Sequence, residues 1–323
     1  QLVGVPGSNK VMAGELSRLC RRALSDVRLE KPTKLGTGAV AFPFEPRVAM
    51  VAVRFHRTSS RVLWDLYQSR AQRLEPLFDE IKAAVAADQR SWGHSGARIS
   101  IRPRNLQGFP AGVRQVVGTV KNAILDGAGS RGLELSVDSE NPDLLFAVRR
   151  HDDVITVSLD LGGGAMHQRG YRLQAGEAPL RENLAAVLLM LARYDSRRDV
   201  LIDPMAGSGT IAIEAALMAR AAPLKSEAPA IANWPAFAGV NVPDGPLFAD
   251  AKPLIFASDI DVSVIDAAQA NARRAGVLEN VTISSGDFRD CPPPRLSEGE
   301  SGLIVTNPPY GRRLQSNDLE RLY

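Results

Sequence analysis

Cysteine is almost absent from this sequence: Cys20 and Cys291 are the two in a chain of 323 residues. Thiols so few and so far apart exclude a disulfide framework and a cysteine-rich zinc site, and they point to a reducing compartment, the cytoplasm. Neither has the local context of a catalytic thiol, so both read as ordinary buried residues, and no metal is expected. Long apolar runs are also missing. No stretch approaches the roughly 20 apolar residues that cross a bilayer, which excludes a spanning helix. The opening QLVGVPGSNK lacks the charged-then-apolar pattern of a signal peptide. Without an initial Met, it leaves room for an upstream segment.

What is present is the composition of a soluble globular protein, 45% hydrophobic and 23% charged, in a chain long enough for two or three domains. The net charge of +3 is unevenly spread. Residues 1–160 carry 23 Lys and Arg against 17 Asp and Glu, whereas residues 161–323 carry 16 against 19. An arginine-rich basic excess in the first half suits phosphate contacts. Charge alone leaves a solvated surface equally open.

Along the first half, VAMVAVRFH (48–56) alternates and is rich in branched residues, which predicts a strand. RVLWDLYQSR (61–70) places Val62, Leu63, Leu66 and Tyr67 at helical spacing. LEPLFDEIKAAVAAD (74–88) predicts an amphipathic helix with Leu77, Ile81, Ala84 and Val85 inward. ARISIRPR (97–104) alternates as a strand, and residues 112–127 predict a helix ended by Gly127. ELSVDS and then residues 143–163 read as strands, with a turn at His151-Asp152-Asp153. This is an α+β module over 1–164.

Residues 165–195 form a linker and a helix starting near Leu180. From Val200 the pattern becomes repetitive: VLIDP, a helix over 210–222, PLIFASD, a helix over 262–275, VTISSGD and LIVTNPP. Strand–helix alternation with apolar strands predicts a parallel, doubly wound α/β sheet over 196–323. Segment 223–252, rich in Pro and Ala, reads as a surface insertion loop. Four strands leave the last one on an uncovered edge, so further strands are expected beyond Tyr323.

The chemistry lies at the strand ends. The first gives 201-LIDPMAGSGTIAIEAALMA-219, an acid followed by a Gly-x-Gly turn and a helix carrying Glu214. Such a turn lets backbone approach a ligand closely. It is neither a P-loop nor Gly-x-Gly-x-x-Gly. The second strand ends in SDID, where Asp259 can accept ribose hydroxyls and Asp261 can cap the next helix. The third ends in Gly286-Asp287-Phe288, a turn on its own but suited to flank an adenine beside the other two. The fourth ends in IVTNPPYGRRL (304–314). Asn307 and the ring-fixed Pro308 offer two carbonyl acceptors, which suit the two N–H donors of an exocyclic amino group. Tyr310 adds a face for base stacking. The motif does not by itself choose guanine over adenine.

Together these residues resemble the class I S-adenosylmethionine-dependent amino-methyltransferases. DPMAGSGT, SDID and IVTNPPYGRRL, preceded by HQRGYR and APLRENLAA, resemble more narrowly the THUMP-domain RNA methyltransferases, closest to the bacterial 23S ribosomal RNA guanine-N2 group (RlmL-like). The resemblance covers about 167–314, and the first half is compatible with that family's THUMP and ferredoxin-like RNA-binding region. It implies a Rossmann-like methyltransferase domain, incomplete on its C-terminal side, that uses S-adenosyl-L-methionine to methylate guanine N2 in RNA.

By resemblance, Asp203, Gly207 and Gly209 would hold the methionine part of the cofactor and Asp259 its ribose. Asp287 and Phe288 would meet the adenine, with Pro179, Leu180 and Glu182 lining the other side. Asn307, Pro308 and Tyr310 would hold the target amino group. His167, Arg169 and Arg172 would either touch RNA or fasten the linker, and Arg312 and Arg313 would steer phosphate. Ala206 departs from the family, which often has Cys there. Ribosomal RNA is the expected partner. The alternatives are tRNA guanine-N2 methylation, DNA adenine-N6 methylation, and a non-catalytic RNA-binding role. Trp92 and Trp234 read as packing residues.

Overall fold

The computed structural model describes residues 1–172, 179–225, 230–290 and 294–308. It divides into two compact units, Gln1–Met166 with Ser226–Asp244, and His167–Lys225 with the chain from Gly245 onward.

The first unit holds strands β1 (Leu2–Val3), β2 (Thr33–Lys34), β3 (Ala39–Ala41), β4 (Arg61–Ser69), β5 (Ala97–Arg104), β6 (Leu135–Val137), β7 (Leu144–His151) and β8 (Val154–Asp160). They form one sheet in the order β2-β3-β1-β4-β8-β7-β5-β6. Its helices are α1 (Asn9–Ala23), α2 (Pro46–Phe55), α3 (Leu74–Ala87), α4 (Gln89–Trp92) and α5 (Val113–Gly129). Leu77, Ile81 and Val85 of α3 are fully buried, as are Val116, Val120 and Ile124 of α5. Cys20 is buried in α1, and burial pushes its thiol up to about 12, far from a reactive thiolate. Trp92 is buried and stacks on Phe146.

Three expectations for this unit are overturned. Residues 48–56 are helical, not extended. Pro46 opens α2, and the Glu45 carboxylate accepts the Val48 amide at 2.7 Å. This helix start decides the segment, because Met50 to Phe55 are all buried and alternation carries no signal there. Residues 61–69 are a strand, paired antiparallel with β8 from Leu63 to Ser69. A bulge between Asp65 and Tyr67 shifts the register. The extra residue produces the four-residue apolar spacing that imitates a helix. Gly127 does not end α5; it lies inside it. A Cβ there would meet the Lys82 carbonyl and Val85 Cβ at 2.7 Å, so the glycine lets α5 approach α3 closely.

The insertion does not lie wholly on the surface either: Ile231, Trp234 and Phe237 are buried, the last two at 3% and 1% exposure, whereas most of residues 238–250 are exposed. Phe237 sets its ring edge-on to Phe44 and Trp64, and Arg54 donates to the Pro243 carbonyl at 3.1 Å.

The second unit contains α6 (Glu182–Leu191), β9 (Asp199–Asp203), α7 (Thr210–Ala219), β10 (Ile255–Asp259), α8 (Val262–Arg274), β11 (Thr282–Ser285) and β12 (Ser301–Ile304). All four strands are parallel, in the order β11-β10-β9-β12. Ala185 and Leu189 of α6, Ile211, Ala212, Ile213, Ala215 and Ala216 of α7 and Ala272 of α8 close the core over Leu201, Ile255 and Ala257. Among the described residues β12 pairs on one side only, with β9. The chain runs outward from β9 through β10 to β11, then returns to the far side of β9. The strand order therefore reverses between β9 and β12, and the crevice beyond their carboxyl ends is where such sheets bind ligands.

Candidate functional site

Asp203 closes β9 at that crevice, with 1% of its surface exposed. The Thr306 hydroxyl, just past β12, donates to its Oδ1 at 2.8 Å. The pairing of Ile304 with Ile202 and the Val305 amide's bond to the Ile202 carbonyl at 3.1 Å set this contact. Burial pushes the Asp203 carboxyl up to about 7. The bonds from Thr306 and the Met205 amide oppose that rise, and the charge of Asp259 adds to it.

The Gly-rich turn links β9 to β10. The Ala206 amide donates to the Ser258 carbonyl at 2.9 Å, and the Gly207 amide donates to Asp259 Oδ2 at 2.8 Å. The other Asp259 oxygen accepts the Asp261 amide at 3.0 Å. Gly207 has φ +51° and Gly209 φ +82°, conformations that favour glycine. Nothing lies within 4 Å of where a Gly207 Cβ would stand, so the turn faces open space. Asp261 accepts the Ser263 amide at 2.9 Å and caps α8. From β11, the Gly286 amide donates to the Asp259 main-chain carbonyl at 3.0 Å, so three strand ends converge on Asp259.

The remaining expected residues are placed as follows. Asp287 is held by Arg289 in its own turn, an ion pair that draws its carboxyl down to about 2. Phe288 beside it is half-buried, as are Asn307 and Pro308 directly after Thr306. Pro179 is exposed and Leu180 half-buried, while Glu182 is buried, which raises its carboxyl. Tyr310, Arg312 and Arg313 lie outside the described residues, as does Cys291.

The HQRGYR segment is built into the second unit. Arg172 donates to Thr210 Oγ1 at 2.7 Å and to the Leu180 carbonyl at 2.9 Å, with Glu182 at 3.6 Å. It thus joins the segment before α6 to the first residue of α7. Arg169 is buried, 3.6 Å from the fully buried Glu214, whose carboxylate also accepts the Tyr171 hydroxyl at 3.2 Å. His167 is half-buried at the start of this segment. Arg274 and Asn271 of α8 complete the lacing. Arg274 donates to the Tyr171 carbonyl at 2.8 Å, and Asn271 donates to the Ser208 carbonyl at 3.1 Å.

Chemically, the crevice offers a carboxylate with acceptor capacity left for hydroxyls, an open glycine turn and a buried acid. Two carbonyl-bearing residues follow the neighbouring strand. Residues 169–323 match the family model UPF0020: RMKL-like, methyltransferase domain. Among curated relatives, the chain is 34% identical to ribosomal RNA large subunit methyltransferase K/L of Vibrio parahaemolyticus, over 90% of this chain and 43% of that protein. The same enzyme of Vibrio campbellii gives the same identity and coverage. The chain thus spans less than half the length of these relatives. Among solved structures, a possible methylase from Clostridium difficile 630 is 28% identical with a TM-score of 0.77, over 99% of this chain and 82% of that one. SMU.472 complexed with SAH is 22% identical, with a TM-score of 0.80 and the same coverage. The second unit has a methyltransferase fold.

Thr306 and the Arg172–Thr210 tie are not apparent from the sequence. Thr306 has one local signal, its place directly before Asn307; Arg172 and Thr210 are too far apart in the chain to give any. Among the described residues no group of acidic, His or Cys side chains is arranged to hold a metal, and no helix is long and apolar enough to cross a membrane.

Proposed function

We propose that the chain carries an S-adenosylmethionine-dependent RNA methyltransferase acting on guanine N2, with 23S ribosomal RNA as substrate. The observation that supports the reading is the switch-point crevice: Asp203 and Asp259 end the adjacent parallel strands β9 and β10, and Thr306, directly before Asn307, bonds Asp203 from the end of β12 on the other side of β9. The similarity to enzymes named ribosomal RNA large subunit methyltransferase K/L supports the substrate class. The basic first half supports a role as RNA platform, of the THUMP and ferredoxin-like kind, in the cytoplasm.

The residues present fit the cofactor. Two of the Asp259 carboxylate's acceptor sites are used by backbone amides, which leaves the others for ribose hydroxyls. The open space above Gly207 admits a chain along the turn. Asp203, Gly207 and Gly209 would face the amino-acid end, Asp287 and Phe288 the adenine, and Pro179, Leu180 and Glu182 the opposite wall. When bound, the cofactor supplies an electrophilic methyl group on a cationic sulfur.

Asn307 and Pro308 do the orienting. Two acceptors drawn to the two N–H groups of the target turn the nitrogen lone pair out of conjugation and toward the methyl group, with Tyr310 stacking the base. The methylated nitrogen is acidic and releases its proton to water, so no side-chain base is required. Catalysis then rests on proximity and fixed polar groups. The base must first leave its stack, which RNA loops and bulges make least costly. Arg312 and Arg313 would draw phosphate to the pocket.

The test is mass spectrometry of nucleosides from ribosomal RNA, tRNA and DNA of cells lacking the gene. Loss of N2-methylguanosine from a 23S fragment is expected. Loss from tRNA, or of N6-methyladenine from DNA, would overturn the substrate assignment.

A further inference from the structure

Thr306 occupies a junction that its neighbours in the chain do not share. Its hydroxyl bonds Asp203 Oδ1 at 2.8 Å across two strands, and its own peptide leads directly into Asn307. The acceptor is 1% exposed, so water cannot replace a lost donor cheaply. We propose that Thr306 is a positioning residue whose one hydroxyl locks the acid of the cofactor pocket to the strand end that presents Asn307. The inference rests on the methyltransferase reading above for its functional consequence, though not for the coupling itself.

Two effects follow from the geometry. The first is mechanical: the bond fixes the side chain one residue before Asn307, so that residue's backbone leaves β12 in one direction. The second is electrostatic. Burial, and then the charge of Asp259, disfavour the Asp203 carboxylate, whereas the Thr306 hydroxyl and the Met205 amide favour it. From the elements around Asp203, these are a carboxylate on β10, an amide in the turn after β9, and a hydroxyl after β12. Thr306 therefore supplies the side-chain hydrogen bond that keeps Asp203 available as an anion for the cationic amino-acid end of a ligand.

Thr306→Val removes the donor at nearly constant shape, and Thr306→Ser retains it. The Asp203 carboxyl carbon is followed by 13C NMR against pH in the full chain, with Asp203→Asn identifying the resonance. In Thr306→Val the midpoint is expected to rise by about one unit, and in Thr306→Ser to stay. An unchanged midpoint in Thr306→Val overturns the proposal. Calorimetry with S-adenosylhomocysteine at pH 7 should show about three- to tenfold weaker binding in Thr306→Val, restored in Thr306→Ser. Equal affinity in Thr306→Val and wild type likewise overturns it. Absence of binding by the wild type would instead sink the methyltransferase reading, and the carbon titration would still decide the coupling.

Discussion

The Gly207 amide donates to Asp259 Oδ2 at 2.8 Å, so the turn after β9 and the end of β10 form one piece. A carboxylate that braces the glycine turn while keeping free acceptor sites can do two jobs through one group. The bond also explains why glycine is needed at 207. With φ +51° the residue aims its amide at Asp259 and leaves the space above the turn open.

Asp259→Ala should therefore weaken S-adenosylhomocysteine by about 100-fold, close to 3 kcal/mol, because the ribose acceptors and the brace are lost together. Asp259→Asn keeps one oxygen for the Gly207 amide and should lie between wild type and Ala. Titration calorimetry on the three proteins checks the order. Equal affinities for Asn and Ala would show that the brace contributes nothing.

Phe237 lies 1% exposed in the first unit, edge-on to Phe44 and Trp64. Phe237→Ala should destabilise that unit by about 3–5 kcal/mol, the usual cost of deleting a buried aromatic ring. Chemical denaturation followed by Trp64 fluorescence measures it. A loss below about 1 kcal/mol would mean that the packing of Phe237 is dispensable to the fold.

These two cases show what the sequence reveals and what it conceals. The parallel sheet is legible because its strands are short apolar runs separated by amphipathic helices, and Asp203, Asp259 and Asn307 each end such a run. The packing of Phe237 depends on contacts nearly 200 residues away in the chain, which local composition cannot encode. In 61–69 a bulge disguises a strand, and in 48–55 near-complete burial erases periodicity in a helix. The Thr306–Asp203 bond depends on β12 pairing beside β9, a fact of strand order rather than of either motif.

Stability should fall as pH rises, through Asp203. Burial pushes its folded-state carboxyl up to about 7, against the ordinary value of about 3.9 in an unfolded chain. Between those values the folded chain holds a proton that the unfolded chain has released, so folding loses free energy across that window and is constant above it. Asp203→Asn removes the penalty and keeps an oxygen for Thr306. At pH 8 the variant should be more stable than wild type, by on the order of 4 kcal/mol as an upper limit. At pH 4 the two should converge. Denaturation of the apo protein at both pH values checks the sign, and a variant less stable at pH 8 would contradict it. The same variant should bind S-adenosylhomocysteine more weakly, the familiar exchange of stability for function.

In the proposed reading, Asn307 separates cofactor binding from chemistry. It follows β12, whereas Asp203 and Asp259, the acids proposed to face the cofactor, end β9 and β10. Asn307→Ala removes a side-chain acceptor for the target amino group and leaves those acids and their bonds in place. Methylation should become undetectable while S-adenosylhomocysteine affinity changes less than about threefold, below 0.7 kcal/mol. Single-turnover assays with radiolabelled cofactor, run beside calorimetry on the same preparation, give both quantities. Retained turnover would remove Asn307 from the reaction. An affinity loss matching that of Asp259→Ala would move it to the cofactor pocket, and the orientation of the amino group would then need another pair of acceptors.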